Sequence, residues 1–207
     1  MTTQLTLGTK PNTARISPCG LYRYELTREL GGDVPLVSMG LNPSTADAIE
    51  DDQTITKDMG FARRWGLGRV VKLNAYGYRT KSPKILFAAA KAGVDIVGPE
   101  NDAVIMTWIE RLRDAARRYA SLGKIVVSWG ANIDPDRQWQ IGQMFLSAGV
   151  QPFCLGVNED GTPAHECYLP YERALVPWVC PTPESVRAAR KAKTKRKKQP
   201  IATEGPT

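Results

Sequence analysis

The apolar run Leu36, Val37, Met39, Leu41 ends abruptly at Gly40-Leu41-Asn42-Pro43, and no other feature limits this chain's fold as strongly. A short run bounded by Gly, Asn and Pro reads as a buried strand with a sharp exit. The exit is polar. Ser44, Thr45, Asp47, Asp51, Asp52 and Thr54 follow, so chemistry-bearing groups collect at the strand's carboxyl end, where ligands bind in open α/β sheets.

The same unit recurs along the chain. Ile55–Trp65 predicts a helix stopped by Gly66 and Gly68, and Arg69–Asn74 (RVVKLN) predicts a second central strand. Lys84–Lys91 predicts a short helix and Pro99–Leu122 a long amphipathic one, with Val104, Ile105, Trp108, Ile109 and Leu112 on one face. Lys124–Trp129 predicts a third strand, Asp136–Ser147 a helix, and Gln151–Leu155 a fourth strand that Pro152 confines to a strand start or a sheet edge. Leu21–Thr27 alternates like an edge strand. Strand-helix alternation of this kind predicts a three-layer α/β/α sandwich around a central, mainly parallel four-stranded sheet.

At 207 residues and 42% apolar content, one domain is expected: a loose start over 1–18, an α/β domain over 19–183, and a tail over 184–207. The net charge of +7 belongs mostly to that tail, which carries eight Lys or Arg against two Glu. The body is therefore nearly neutral. The tail is expected to be solvated and disordered, and its charge would attract phosphate backbone in any conformation. No N-terminal apolar segment and no apolar stretch long enough to span a bilayer is visible, which implies a cytoplasmic location and no membrane partner.

Cys19, Cys154, Cys167 and Cys180 include no CxxC pair. Reduced, partly buried thiols are the preferred reading, and a four-cysteine cluster would need the fold to gather them. No cofactor is called for. Asp51 or Asp52 could hold a magnesium ion, but nothing else in the sequence demands a metal.

Four strand exits supply the candidate site. Asn42, held rigidly between Leu41 and Pro43, could orient a water or a base edge. Ser44, Thr45 and Asp47 suit either helix capping or ligand contact. Asp51 and Asp52 point to opposite sides of an extended segment, so one of them, Asp52, joins Asn42 among the catalytic candidates. His165, the only histidine, sits in a turn-rich loop where it can donate to a developing oxyanion or exchange a proton near neutral pH. Gly40, Pro43, Asp51, Asn74, Arg79 and Gly130 complete the expected binding surface, and the amide, aromatic and guanidinium groups of the Asn74–Arg79 exit suit bases and phosphates.

Taken together, YRYEL, MGLNPSTAD, DDQT, NAYGYRT, GPEND, VVSWGAN and LGVNEDGTPAHECYL resemble the uncharacterised family called domain of unknown function 1643, from Leu21 to about Pro170. A more distant resemblance is to the uracil-DNA glycosylase superfamily. Gly40-Leu41-Asn42-Pro43, Val126-Val127-Ser128-Trp129-Gly130 and Pro163-Ala164-His165 look like its three motifs, in order. That likeness implies that Asn42 positions a hydrolytic water, that His165 stabilises charge on a departing base, and that Asn74 is placed like the residue that reads a flipped base. Glu166, Cys167 and Tyr168 stand where that superfamily carries a serine cluster, and Asp51-Asp52 has no counterpart in it. The expected partner is nucleic acid, DNA in particular, and the expected chemistry is hydrolysis of an N-glycosidic bond. The alternatives are a non-catalytic nucleic-acid-binding accessory and a metal-dependent enzyme on free nucleotides.

Overall fold

The computed structural model describes residues 12–44, 50–118 and 124–198. Thr45 and Asp47 lie outside them. The described chain forms an α/β fold around one sheet of seven strands in the order β1-β2-β4-β3-β5-β6-β7. The strands are β1 (Thr13–Ile16), β2 (Arg23–Glu29), β3 (Pro35–Gly40), β4 (Arg69–Asn74), β5 (Lys124–Val127), β6 (Phe153–Cys154) and β7 (Val176–Pro177). The helices are α1 (Gln53–Arg64), α2 (Pro83–Lys91), α3 (Asn101–Arg118), α4 (Pro135–Ala148) and α5 (Pro183–Lys198), with a 3-10 turn at Glu166–Tyr168.

The expected four-stranded sheet is therefore enlarged. β4, β3, β5 and β6 run parallel, but β1, β2 and β7 extend the sheet antiparallel, so half of its pairings are antiparallel. β2 is not the edge strand, because β1 pairs outside it. Thr13–Ile16, expected to be loose, is that edge. Its burial alternates between exposed and half-buried, and its order comes from the β2 ladder rather than from apolar content.

Successive residues of a strand face opposite sides, so β3 feeds two cores. Val37 and Met39, with Val71, Leu73, Ile125 and Val127, pack among Ile105 and Ile109 of α3 and Ile141 and Phe145 of α4. Leu36, Val70 and Val126 pack on the other side with Phe61 and Ala62 of α1. Helices thus cover both faces. Among the described residues no helix is long and apolar enough to cross a membrane.

The expectation for the tail is revised over its described part, while 199–207 lie outside the described residues. Pro183–Lys198 is helical and packs against α4. Val186 is fully buried, and three of the basic residues are drawn into ion pairs with the body: Arg187 with Asp136, Arg190 with Asp160 at 2.8 Å, and Lys193 with Glu159 at 3.3 Å. An isolated helix this basic would not hold together. One apolar anchor and complementary carboxylates on the body supply what its own sequence lacks.

Candidate functional site

The parallel strands β4, β3 and β5 deliver their exits to one side of the molecule. Backbone bonds hold these exits together past the strand ends, from Ala75 N–H to Gly40, from Tyr76 N–H to Leu41 and from Thr80 N–H to Pro43. Above them opens a pocket of about 610 Å³, lined by Gly40, Asn42, Ser44, Asp52, Asn74, Gly130 and His165 among others. Seven sequence-selected residues therefore share one cavity.

Each is set by local structure. The Asn42 Nδ2 donates to the carbonyls of Thr80 at 2.7 Å and Pro43 at 3.1 Å, which locks the amide, while its Oδ1 makes no hydrogen bond among the described residues. Asp52 caps α1 by accepting the Ile55 N–H at 2.9 Å, so its carboxylate sits at the helix's positive end beside the pocket. Asn74 is only 2% exposed, and its Nδ2 has no hydrogen-bond partner among the described residues. Gly40 leaves room for that amide, since a Cβ there would stand 3.1 Å from Asn74 Oδ1 and 3.2 Å from Lys72 Cε.

Gly130 has φ +73°, which favours glycine, and its N–H bonds the Pro163 carbonyl at 3.1 Å. That bond joins the β5 exit to the His165 loop. A second brace comes from α5, where Arg190 pairs with Asp160 and donates to the Ile133 carbonyl at 3.1 Å.

Three candidates fall elsewhere. Asp51 pairs with the buried Arg28 at 2.5 Å and does not line the cavity. Arg79 is turned toward the Gly20 carbonyl at 3.2 Å, because its strand exit pairs back toward β2. Pro43 serves the turn, its carbonyl taken by Thr80 N–H and Asn42 Nδ2, and does not line the cavity.

Beneath the pocket lies a charged cluster that the sequence reading passed over. Lys72 Nζ stands 2.5 Å from Glu166 Oε1, 2.9 Å from Asp58 Oδ2 and 2.9 Å from Ser38 Oγ, and Ser38 donates to Asp58 Oδ1 at 2.9 Å. Burial alone would discharge the Lys72 ammonium, but the two carboxylates outweigh it and hold the group protonated. Burial pushes Asp58 up to about 6 despite Lys72. Glu166 is also opposed by burial, yet Lys72 and His165 bring it below its ordinary value. The closer contact explains the split: the ammonium is committed first to Glu166. One signal was available in the sequence, a lysine inside the apolar strand Val70-Val71-Lys72-Leu73, because a buried lysine requires a partner.

His165 connects this cluster to the pocket. Its Nδ1 accepts the Cys167 N–H at 3.3 Å, which leaves the neutral ring's proton on Nε2, and Nδ1 stands 3.2 Å from Glu166 Oε2. Burial pulls its pKa below the ordinary value, Glu166 pulls upward, Lys72 downward and Asp52 upward. Arg23, Trp129, Asn158 and Tyr168 also line the cavity, and none was anticipated as a site residue. Tyr168 is 86% exposed, with its ring centroid 5.6 Å from that of His165.

The cysteines stay apart, Cys167 against Thr54 Oγ1 at 3.3 Å and Cys180 against Gly142, and all four are free. Among the described residues no three His, Cys, Asp or Glu side chains gather at metal-binding range.

No curated protein and no solved structure matches the chain. The family signature described as Protein of unknown function (DUF1643) matches residues 23–166, a span that begins at Arg23 of the pocket wall and ends at Glu166 beneath it. The chain belongs to that family.

Proposed function

We propose that the pocket receives a nucleobase presented by a DNA strand and that the protein hydrolyses its N-glycosidic bond. The observation that carries this reading is the buried, unpartnered Nδ2 of Asn74 in a cavity also lined by Asn42 and His165. A buried amide without a partner is a demand for a polar, planar ligand edge. The volume lies within the roughly 300–1,000 Å³ of small-molecule sites, and exposed Tyr168 offers a stacking face at the rim.

In this reading Asn42 Oδ1 and Asp52 orient a water for attack on the sugar carbon. The carbon–nitrogen bond breaks, its electron pair leaves with the base, and His165 Nε2–H stabilises the charge that develops there. The water's proton passes to Asp52 or to solvent. Kinship with the uracil-DNA glycosylase fold is an analogy that agrees with the motif order, and it is part of the proposal. Lys191, Lys195 and Arg196, exposed on α5, would attract the phosphate backbone.

The test is to incubate the protein with single-stranded and duplex DNA carrying uracil or modified bases and to measure abasic sites by alkaline cleavage. Product that falls about 100-fold or more in Asn42→Ala and His165→Gln is expected. No product from any substrate, with wild type and variants alike, overturns the enzymatic form. One observation favours a non-catalytic accessory role: the Asn42 amide nitrogen and the Asp52 carboxylate already serve structural bonds. Salt-dependent DNA binding without turnover would assign that role, whereas chelator-sensitive turnover of free nucleotides would assign the metal-dependent one.

A further inference from the structure

Glu166 takes no part in the chemistry just described, yet its two oxygens face different demands. Oε1 receives the Lys72 ammonium, while Oε2 is buried without a hydrogen bond among the described residues and stands 3.2 Å from His165 Nδ1. A buried carboxylate oxygen left without a donor is unfavourable unless a donor arrives in some state of the protein. His165 can be that donor. While neutral, with its proton on Nε2, the ring uses Nδ1 to accept the Cys167 N–H. Once charged it carries a second proton on Nδ1, and the oxygen within reach of that proton is Glu166 Oε2.

We propose that Glu166, clamped by Lys72, is a positioning residue for His165: it receives the Nδ1 proton when the imidazole is charged, and so holds the charged ring in the orientation that the Cys167 N–H sets for the neutral one. Nε2 then presents a donor to the pocket throughout. The groups that act on the ring are Glu166, Cys167 and Tyr168 of the 3-10 turn, Lys72 of β4, and Asp52 at the cap of α1, with Asp58 of α1 behind Lys72. Glu166 and Asp52 favour the cation, and Lys72 and burial oppose it. Unshared, the Lys72 charge would suppress protonation of the ring. Paired with Asp58 and Glu166, it instead fixes the carboxylate in place. The role assigned to Nε2 rests on the glycosidic reading, but the His165–Glu166 couple can be measured without substrate.

His165 is the only histidine, so its ring nitrogens can be followed in the whole protein by long-range proton–nitrogen correlation between about pH 4 and 8. The neutral ring is expected to carry its proton on Nε2. Glu166→Gln should lower the titration midpoint by about one unit or more, and Asp52→Asn by less. A midpoint moved by less than about 0.3 unit in Glu166→Gln, or a neutral ring protonated on Nδ1, overturns the proposal. Should Glu166→Gln fail to fold, wild type decides: a charged-state Nδ1 proton shifted downfield and slow to exchange supports the couple, and one exchanging as in free imidazole overturns it. Failure to form abasic sites would remove the glycosidic reading and leave the titration result intact.

Discussion

Lys72 of β4 and Glu166 of the turn after His165, 94 positions apart, meet at 2.5 Å with side chains 3% and 1% exposed. A buried pair of this kind is weak evidence for net stability, but removing one partner leaves charge without compensation. Lys72→Met strands Asp58 and Glu166 together, and it should cost about 3–5 kcal/mol by urea unfolding near neutral pH. A loss under about 1 kcal/mol would mean that water reaches the carboxylates.

The partner carboxylate sets an opposite trend with pH. Asp58 takes its proton at about 6 in the fold and at the ordinary 3.8 when unfolded, so between these values the folded state binds the extra proton. Its contribution to stability therefore falls as pH rises from about 4 to about 6. The deficit of Asp58→Asn against wild type should be largest near pH 4 and shrink toward neutrality. A deficit that grows with pH would show instead that Lys72 holds Asp58 ionised throughout.

Gly40 leaves space for two groups at once. Gly40→Ala puts a Cβ 3.1 Å from Asn74 Oδ1 and 3.2 Å from Lys72 Cε. The strand conformation accepts alanine, so the cost is steric, about 1–3 kcal/mol, with loss of binding to base-containing DNA exceeding that of a neutral surface variant. Calorimetry and fluorescence anisotropy on the same sample would separate the two effects.

Tyr168 tests recognition with little structural risk, being 86% exposed. Tyr168→Ala should leave the melting temperature unchanged and weaken single-stranded DNA binding by about 1–3 kcal/mol, the worth of one stacked base. Unchanged affinity would remove the rim from the binding surface.

Charge on α5 divides into two classes. Arg187, Arg190 and Lys193 pair with the body, whereas Lys191, Lys195 and Arg196 are exposed with no ion pair among the described residues. Neutralising the second group to Gln should reduce the slope of log affinity against log salt by about 2–3 without unfolding the helix. Arg190→Ala should instead loosen the Asp160 loop, and its signature is slower turnover at constant salt slope.

Much of the parallel centre was legible in the sequence. Arg69–Asn74 is β4 to the residue, because Gly68 and the polar exit bracket a dense apolar run, and Pro35–Gly40 is legible for the same reason. β1 and the two-residue β7 were not. β1 alternates over only four residues with Ala14 and Ile16 as its apolar members, and β7 has two residues, too little to signal a strand; β1 exists because β2 offers a ladder, and β7 because Phe153 and Cys154 do. The site divides in the same way. Asn42, Asp52, Asn74 and His165 announce themselves as polar groups at strand exits, whereas Glu166 looks like one more loop carboxylate until Lys72 is found beside it.

What the sequence by itself determined is where the strands break and which polar groups stand at those breaks, since turn chemistry and apolar periodicity act over a few residues. Only the tertiary structure decided which of those groups face each other. It turned Arg79 and Asp51 toward other partners, spent half of the described basic side chains of α5 on the body, and set Lys72 against Glu166. The physical reason is that a buried charge has no stable place of its own. It takes the place that a partner far along the chain completes.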